Sequence, residues 1–390
     1  MGWQLYLRLS VMMFLEFAIW GAWSPVLAAR LLGPLKMSGK QTGWIYATIP
    51  LACIISPLIA GQVADRWIAT EWLLAGAHLV GSVLLLVAAR KSTFGSLFVV
   101  MGFYALCYAS TLPLVNSLMF SHLSNPQTQS PAVFIWAPVA WVVVGWLLTG
   151  RRRLKGSGEG SDCLVLAGII SMLMGIFCFS LPHTPPGGQP GDVLPFVKAF
   201  SMLREPNLTV FLVVSFLVTA QLQFYFLGTA QFLQDLGVQN KNVPAVMTLA
   251  QIAQVIGTAS ILGYLLKAGF RWTLAVGVLC WLVMYLLYAT SRPRWLVIIS
   301  QALHGLAYVF FIIGGQIYVN SVAQADIRGS AQALLFVVTI GLGLFLGTRF
   351  TGVVMDHFEK DGRFRWQQIF LVPCVLMIVC AGALVLFFKH

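Results

Sequence analysis

This chain is short of acidic residues. Across 390 residues there are 12 Asp and Glu against 24 Lys and Arg, and charged residues of either sign make up 9% of the whole. So few charges cannot cover a water-soluble globule of this length, which excludes a soluble fold and points to an integral membrane protein. A mean hydropathy of +0.85 and a hydrophobic share of 59% agree. Also missing are H-E-x-x-H, G-x-S-x-G and paired aspartates inside the apolar runs, the usual constellations of hydrolytic chemistry. A membrane-embedded enzyme is therefore the weaker rival to a transporter, and a transporter-like sensor is a third reading that binding without transport would favour. The seven cysteines fall in or beside apolar runs without metal-ligand spacing, so we read them as packing residues and expect no disulfide framework, metal or cofactor. The net charge of +12 does not read as nucleic-acid binding. The cations are scattered between apolar runs, with one short cluster at Arg151 to Lys155, and suit lipid headgroups.

What the chain does have is long apolar runs, interrupted once near its middle. A helix needs about 20 mostly apolar residues to cross the hydrocarbon core. Runs of that length are predicted at 5–32, 42–62, 71–89, 94–121, 131–149 and 163–181, and again at 208–234, 243–266, 272–290, 295–322, 329–355 and 367–388. Between the two sets lies LPHTPPGGQPGDVLPFVKAFSMLREP, Leu181 to Pro206. Six of its first ten residues are Pro or Gly, so helices should end there. Asp192 to Glu205 carries an amphipathic pattern, read as a surface helix along the membrane face. The expectation is an all-α integral membrane protein: a six-helix bundle over 1–181, a linker over 182–206 and a second bundle over 207–390. Equal halves suggest a structural repeat with a solute site near mid-membrane, the architecture of a secondary transporter. The runs lack period-2 alternation, which excludes a strand-built barrel.

The connection between the second and third runs reads Gly61, Gln62, Val63, Ala64, Asp65, Arg66. Gly61 lets a neighbouring helix approach closely, and Asp65 and Arg66 sit at a helix end where they can pair with groups that separate during a rocking motion; an ordinary charged turn is the alternative. This G-x-x-x-D-R resembles the signature loop of the major facilitator superfamily, with a fainter echo at Lys267 to Arg271. MMFLEFAIWGAW (Met12 to Trp23), LPLVN (Leu112 to Asn116), LPHTPP (Leu181 to Pro186), LHGLAYVFF (Leu303 to Phe311), IRGSAQ (Ile327 to Gln332) and WQQIFL (Trp366 to Leu371) are similar to the nucleoside:proton symporters of bacterial inner membranes. The resemblance runs in register over almost the whole chain. It implies a major facilitator fold of twelve helices, importing a nucleoside by alternating access with proton coupling; a transporter or uncoupled facilitator of another small polar solute, a sugar or modified base, is the alternative. The protein is expected to act as a monomer in the cell inner membrane.

The resemblance also implies site residues, on the fifth, seventh, eighth and tenth runs. On the fifth, the family's arginine and threonine positions are Phe134 and Pro138, and an aromatic is kept at Trp141. Base stacking would survive there and sugar hydrogen bonding would not. Gln223 keeps the family's glutamine and Phe226 replaces its asparagine. Gln251 and Gln254 stand at Q-x-x-E, so the acid has become an amide, and Tyr308 with Val309 stands at an aromatic-Asp pair, so a second carboxylate is gone. Two other groups are candidates for the proton. Glu16, on one face with Met13, Trp20 and Trp23, is either a proton-binding group or a glutamate held by another helix. His304, on one face with Gln301 and Tyr308, is either a substrate or proton group or a satisfied histidine. His78 and Asn116 read as helix-to-helix hydrogen bonds. Gly61, Asp65, Arg66 and Arg328 would serve the moving cytoplasmic contacts. The implied orientation puts both termini inside, which leaves the larger share of Lys and Arg outside, against the positive-inside rule.

Overall fold

The computed structural model describes residues 1–155, 160–187, 195–238, 243–360 and 363–389. Within them 12 helices are long and apolar enough to cross a membrane. In chain order these spans are Trp3–Trp23, Lys40–Arg66, Thr70–Ala89, Phe94–Ser121, Pro126–Arg152, Asp162–Ser180, Pro206–Asp235, Val246–Lys267, Phe270–Thr290, Arg294–Val322, Ala325–His357 and Trp366–Phe387, numbered 1 to 12 below. The chain forms two compact units. One comprises Met1–Ser201 with Val322–Val337, and the other Met202–Ser321 with Val338–His390.

In the first unit the helices meet through small residues, as expected where lipid supplies no hydrophobic drive between them. The Ser82 hydroxyl of span 3 donates to the Gly168 carbonyl of span 6 at 2.7 Å, and the Ser171 hydroxyl donates to the His78 carbonyl at 2.8 Å. Span 2 starts on a capping box: Gln41 N–H donates to the Ser38 hydroxyl, and the Gln41 side chain accepts from Ser38 N–H. It carries Pro50 and Pro57 in its interior. Ile55, Ile59, Val80 and Val83 are more than half exposed, as lipid-facing positions should be. Span 5 comprises helical segments Pro126–Phe134 and Trp136–Lys155, joined through Ile135, which keeps helical backbone angles and still donates its N–H to the Pro131 carbonyl.

The linker is partly described. Residues 188–194, including the predicted start of the amphipathic stretch at Asp192, lie outside the described residues. Beyond them Pro195–Ser201 is helical, with Val197 and Phe200 exposed and Ala199 buried.

The second unit differs from the first in its backbone. Four of its helices widen into π-helical turns, at Phe224–Gly228, Gly257–Ile261, Tyr308–Ile313 and Val337–Gly343. Such turns are rare, and frequent at functional sites. Spans 8 and 10 touch backbone to backbone. A Cβ on Gly305 would fall inside the Ala250 carbonyl and 2.8 Å from the Gln254 nitrogen.

Candidate functional site

In the first unit a polar cluster closes around Glu16. This carboxylate is fully buried, and its Oε1 lies 2.7 Å from the Thr111 hydroxyl of span 4. Its Oε2 lies 2.9 Å from Nε2 of His78 on span 3, itself buried. That contact is close but not aligned as a hydrogen bond. Tyr108 donates its hydroxyl to the Glu16 backbone carbonyl at 2.8 Å. Its ring stacks on Tyr104 and meets Trp20 edge-on at 6.1 Å. Trp20 in turn meets Trp141 at 6.0 Å, and a Cβ on Gly21 would lie 3.2 Å from the Trp141 ring, so glycine there eases the close approach of spans 1 and 5. Trp141 is half-buried and keeps part of its face open. Phe134 is buried edge-on against Phe120 at 6.0 Å, a packing contact with span 4.

The signature loop makes a backbone contact. Asp65 accepts from Gly329 N–H at 3.1 Å through Oδ1 and from Ser330 N–H at 2.8 Å through Oδ2. These are orphan donors of the first turn of the Arg328–Phe336 helix, and its positive end favours a carboxylate there. Gly61 sits where a Cβ would be 3.0 Å from the Ser330 Cα and 3.1 Å from the Gly329 carbonyl carbon. Lys198 pairs with Asp326 at 2.5 Å one turn earlier. Arg66 lies over the Trp67 ring at 5.9 Å, and Arg328 begins the helix with its Nε buried.

Two histidines at the membrane face belong to a second polar group. Glu71, buried at the start of span 3, accepts from Thr184 N–H at 3.0 Å and pairs with His183 at 2.6 Å. The Thr184 hydroxyl meets His122 Nε2 at 2.9 Å. Burial lowers the His122 pKa below the ordinary histidine value, with the Glu71 carboxylate opposing. The LPHTPP segment is thus tied to spans 3 and 4.

In the second unit the indole N–H of Trp281 donates to His304 Nδ1 at 3.1 Å. An indole can only donate, so Nδ1 carries no proton, and the neutral ring holds its one N–H at Nε2. Its face is stacked on Tyr225 of span 7, 3.7 Å between centroids and 11° between planes, with Phe226 edge-on at 6.0 Å. The Gly305 contact brings span 8, with the half-buried Gln251 and Gln254, beside the half-buried Tyr308 of span 10. Gln223, Gln254 and Tyr308 each stand within three residues of the start of a π-helical turn. Gln223 is nearly buried, while Phe226 is 52% exposed. Sequence reasoning missed Tyr225, Trp281 and Thr111; only the bare presence of polar atoms in apolar runs could have signalled them.

Among the described residues, no group of three or more His, Cys, Asp and Glu side chains could hold a metal. Twelve spans, and a signature loop carrying Asp65 onto a helix start, define a transporter of the major facilitator class. The chain belongs to the nucleoside H+ symporter family, whose model matches residues 3–390. It is 26% identical to nucleoside permease NupG of Escherichia coli over 99% of this chain and 96% of that one. It is 29% identical to the putative nucleoside transporter YegT of the same organism, over 98% and 93%. The crystal structure of nucleoside transporter NupG superposes with a TM-score of 0.71 at 25% identity, covering 99% of both chains. The proton:xylose symporter XylE, at 10% identity and a TM-score of 0.77, shares the fold. The protein is a multi-pass protein of the inner membrane, as its spans and bacterial relatives show.

Proposed function

We propose that this protein imports nucleosides by alternating access, coupled to proton entry, acting as a monomer and catalysing no covalent chemistry. The observation that carries the reading is His304, held by Trp281 as a neutral donor on the face of Tyr225 and beside a span bearing two amides. Neutral donors and acceptors suit a solute with hydroxyls and base edges and no fixed charge. Trp141 and Phe226 offer aromatic faces to a base, while Gln223, Gln251, Gln254 and Tyr308 serve hydroxyls and base edges. Phe134 supports the first unit from its core side. Gly61, Asp65, Arg66 and Arg328 form the contact that opens and closes. The linker would tether two bundles, 1–181 and 207–390.

Counterflow into proteoliposomes tests this. With a panel of nucleosides and hexoses, the expected result is exchange of at least one nucleoside. Exchange of a hexose with none of any nucleoside would transfer the protein to the second reading, a facilitator of another polar solute.

A further inference from the structure

We infer that the proton carried during transport binds at Glu16, and that His78 and Thr111 form with it a single protonatable centre buried in the first unit; this rests on the proton-coupled reading above. A symporter needs at least one group that exchanges a proton within the membrane, and the chain offers few. Among the described acidic residues, Glu16 alone stands in the interior of a span. Asp65, Glu71, Asp162, Asp235, Asp326 and Asp356 are all within one or two residues of a span end, and Glu205 and Glu359 lie in connections. His304 is set against the role, since its Nδ1 is already occupied by a donor and a second proton would meet the Trp281 N–H head on.

The surroundings of Glu16 fit both of its charge states. The Thr111 hydroxyl lies 2.7 Å from Glu16 Oε1 and 2.7 Å from the Tyr108 carbonyl, and it has one proton to give. With Glu16 ionised, the hydroxyl donates to the carboxylate. With Glu16 protonated, the carboxyl donates to the hydroxyl, which turns its own proton to the Tyr108 carbonyl. No heavy atom has to move. His78 Nε2 stands 2.9 Å from Oε2, an imidazole partner beside the carboxylate in both states. A proton taken from water forms the carboxyl O–H bond, and the same bond breaks to release it to water on the other side. Sealed from solvent, the cluster can exchange only when the helices around it part.

The other titratable groups near the pair are the Tyr104 and Tyr108 phenols of span 4, the Cys178 thiol of span 6 and the Cys53 thiol of span 2, which faces Tyr108. Asp162 and Cys163 of span 6, and the Arg151–Lys155 cluster of span 5, lie at the far ends of their helices. Neither segment of span 5 brings another titratable residue. A contact path also leads from the centre toward a proposed substrate residue: Tyr108 bonds the Glu16 carbonyl and packs on Trp20, which packs on Trp141.

The test uses the full chain in proteoliposomes, with uridine as probe and an imposed pH gradient. The wild type is expected to accumulate uridine against its gradient. Glu16→Gln is expected to lose that accumulation while still exchanging uridine in counterflow, which moves no net proton. Thr111→Val and His78→Gln are expected to keep accumulation and to displace its pH profile by about one unit or more, the scale on which one partner of a titrating group acts. Accumulation by Glu16→Gln at the wild-type level overturns the inference. If that variant does not fold, unshifted profiles in both Thr111→Val and His78→Gln overturn it instead. A wild type that exchanges uridine but ignores the pH gradient removes the coupling reading itself, and the inference falls with it. Uridine exchange separates that outcome from a failure of Glu16 alone.

Discussion

At the scale of single residues, the side chains that define the proposed site are fixed by partners far along the chain. His304 is the clearest case. Its Nδ1 is buried and has the Trp281 indole as its donor, so Trp281→Phe leaves a buried acceptor unpaired, at a cost of about 1–3 kcal/mol. The expected outcome is a lower thermal midpoint in detergent, with weakened nucleoside exchange because the ring loses the contact that fixes its tautomer. His304→Gln keeps an acceptor for the indole and should lose less stability. Equal midpoints for Trp281→Phe and the wild type would remove this account. Glu16 was legible in the sequence because a carboxylate inside an apolar run is costly and therefore rare. Its partners were not. His78 and Thr111 lie on other helices; His78 reads in isolation as an ordinary helix-to-helix hydrogen bond, and Thr111 carries no signal of its own. Phe134 shows the same limit: helical spacing placed it on the face of Trp141, but spacing along one helix could not show that Phe120 of span 4 packs against it.

At the scale of elements, the start of span 11 depends on a residue of span 2. Asp65 satisfies two first-turn N–H groups of a helix whose own N-cap offers no side-chain acceptor. Asp65→Asn keeps one acceptor oxygen and aims an amide at the other donor, losing a charge-assisted hydrogen bond of about 1.5–3 kcal/mol. Gly61→Val acts by volume, since the atoms its side chain would meet are backbone and cannot swing aside. Both variants are expected to loosen the same turn. Labelling of a cysteine placed at the buried Ala331 should therefore rise in each, relative to the same cysteine in the parent chain. Unchanged labelling in both would show that the turn stands without them. The spans were legible because length and hydropathy suffice to mark a membrane helix. The π-helical turns were not, since an extra residue in a turn leaves an apolar run still apolar.

At the scale of the whole molecule, three of the cations in the connections implied to lie outside are engaged by the fold. Arg152 is held by both oxygens of Asp162, each at 2.8 Å. Arg30 donates to the Ala89 and Lys91 carbonyls at 3.0 Å, where span 3 ends, and Arg294 donates to the Gly237 carbonyl at 2.7 Å just past the end of span 7. Helix C-termini expose unpaired carbonyls and carry partial negative charge, so Arg30 and Arg294 complement the ends of spans 3 and 7, while Arg152 is paired with a carboxylate. With both termini inside, a cysteine replacing the exposed Arg151 is expected to react with an impermeant thiol reagent in intact cells. Protection of that cysteine until the membrane is permeabilised would reverse the orientation.

The sequence by itself determined that this is a membrane protein of twelve helices with a major facilitator signature, because hydropathy, span length and a short loop motif are local properties of the chain. Only the tertiary structure decided which polar groups share a space. Glu16 with His78 and Thr111, Asp65 with the first turn of span 11, and His304 with Trp281 and Tyr225 are pairings between helices, and helices in lipid choose their neighbours by close packing of small residues and by mutual satisfaction of polar atoms. Neither criterion leaves a periodic trace along a single chain.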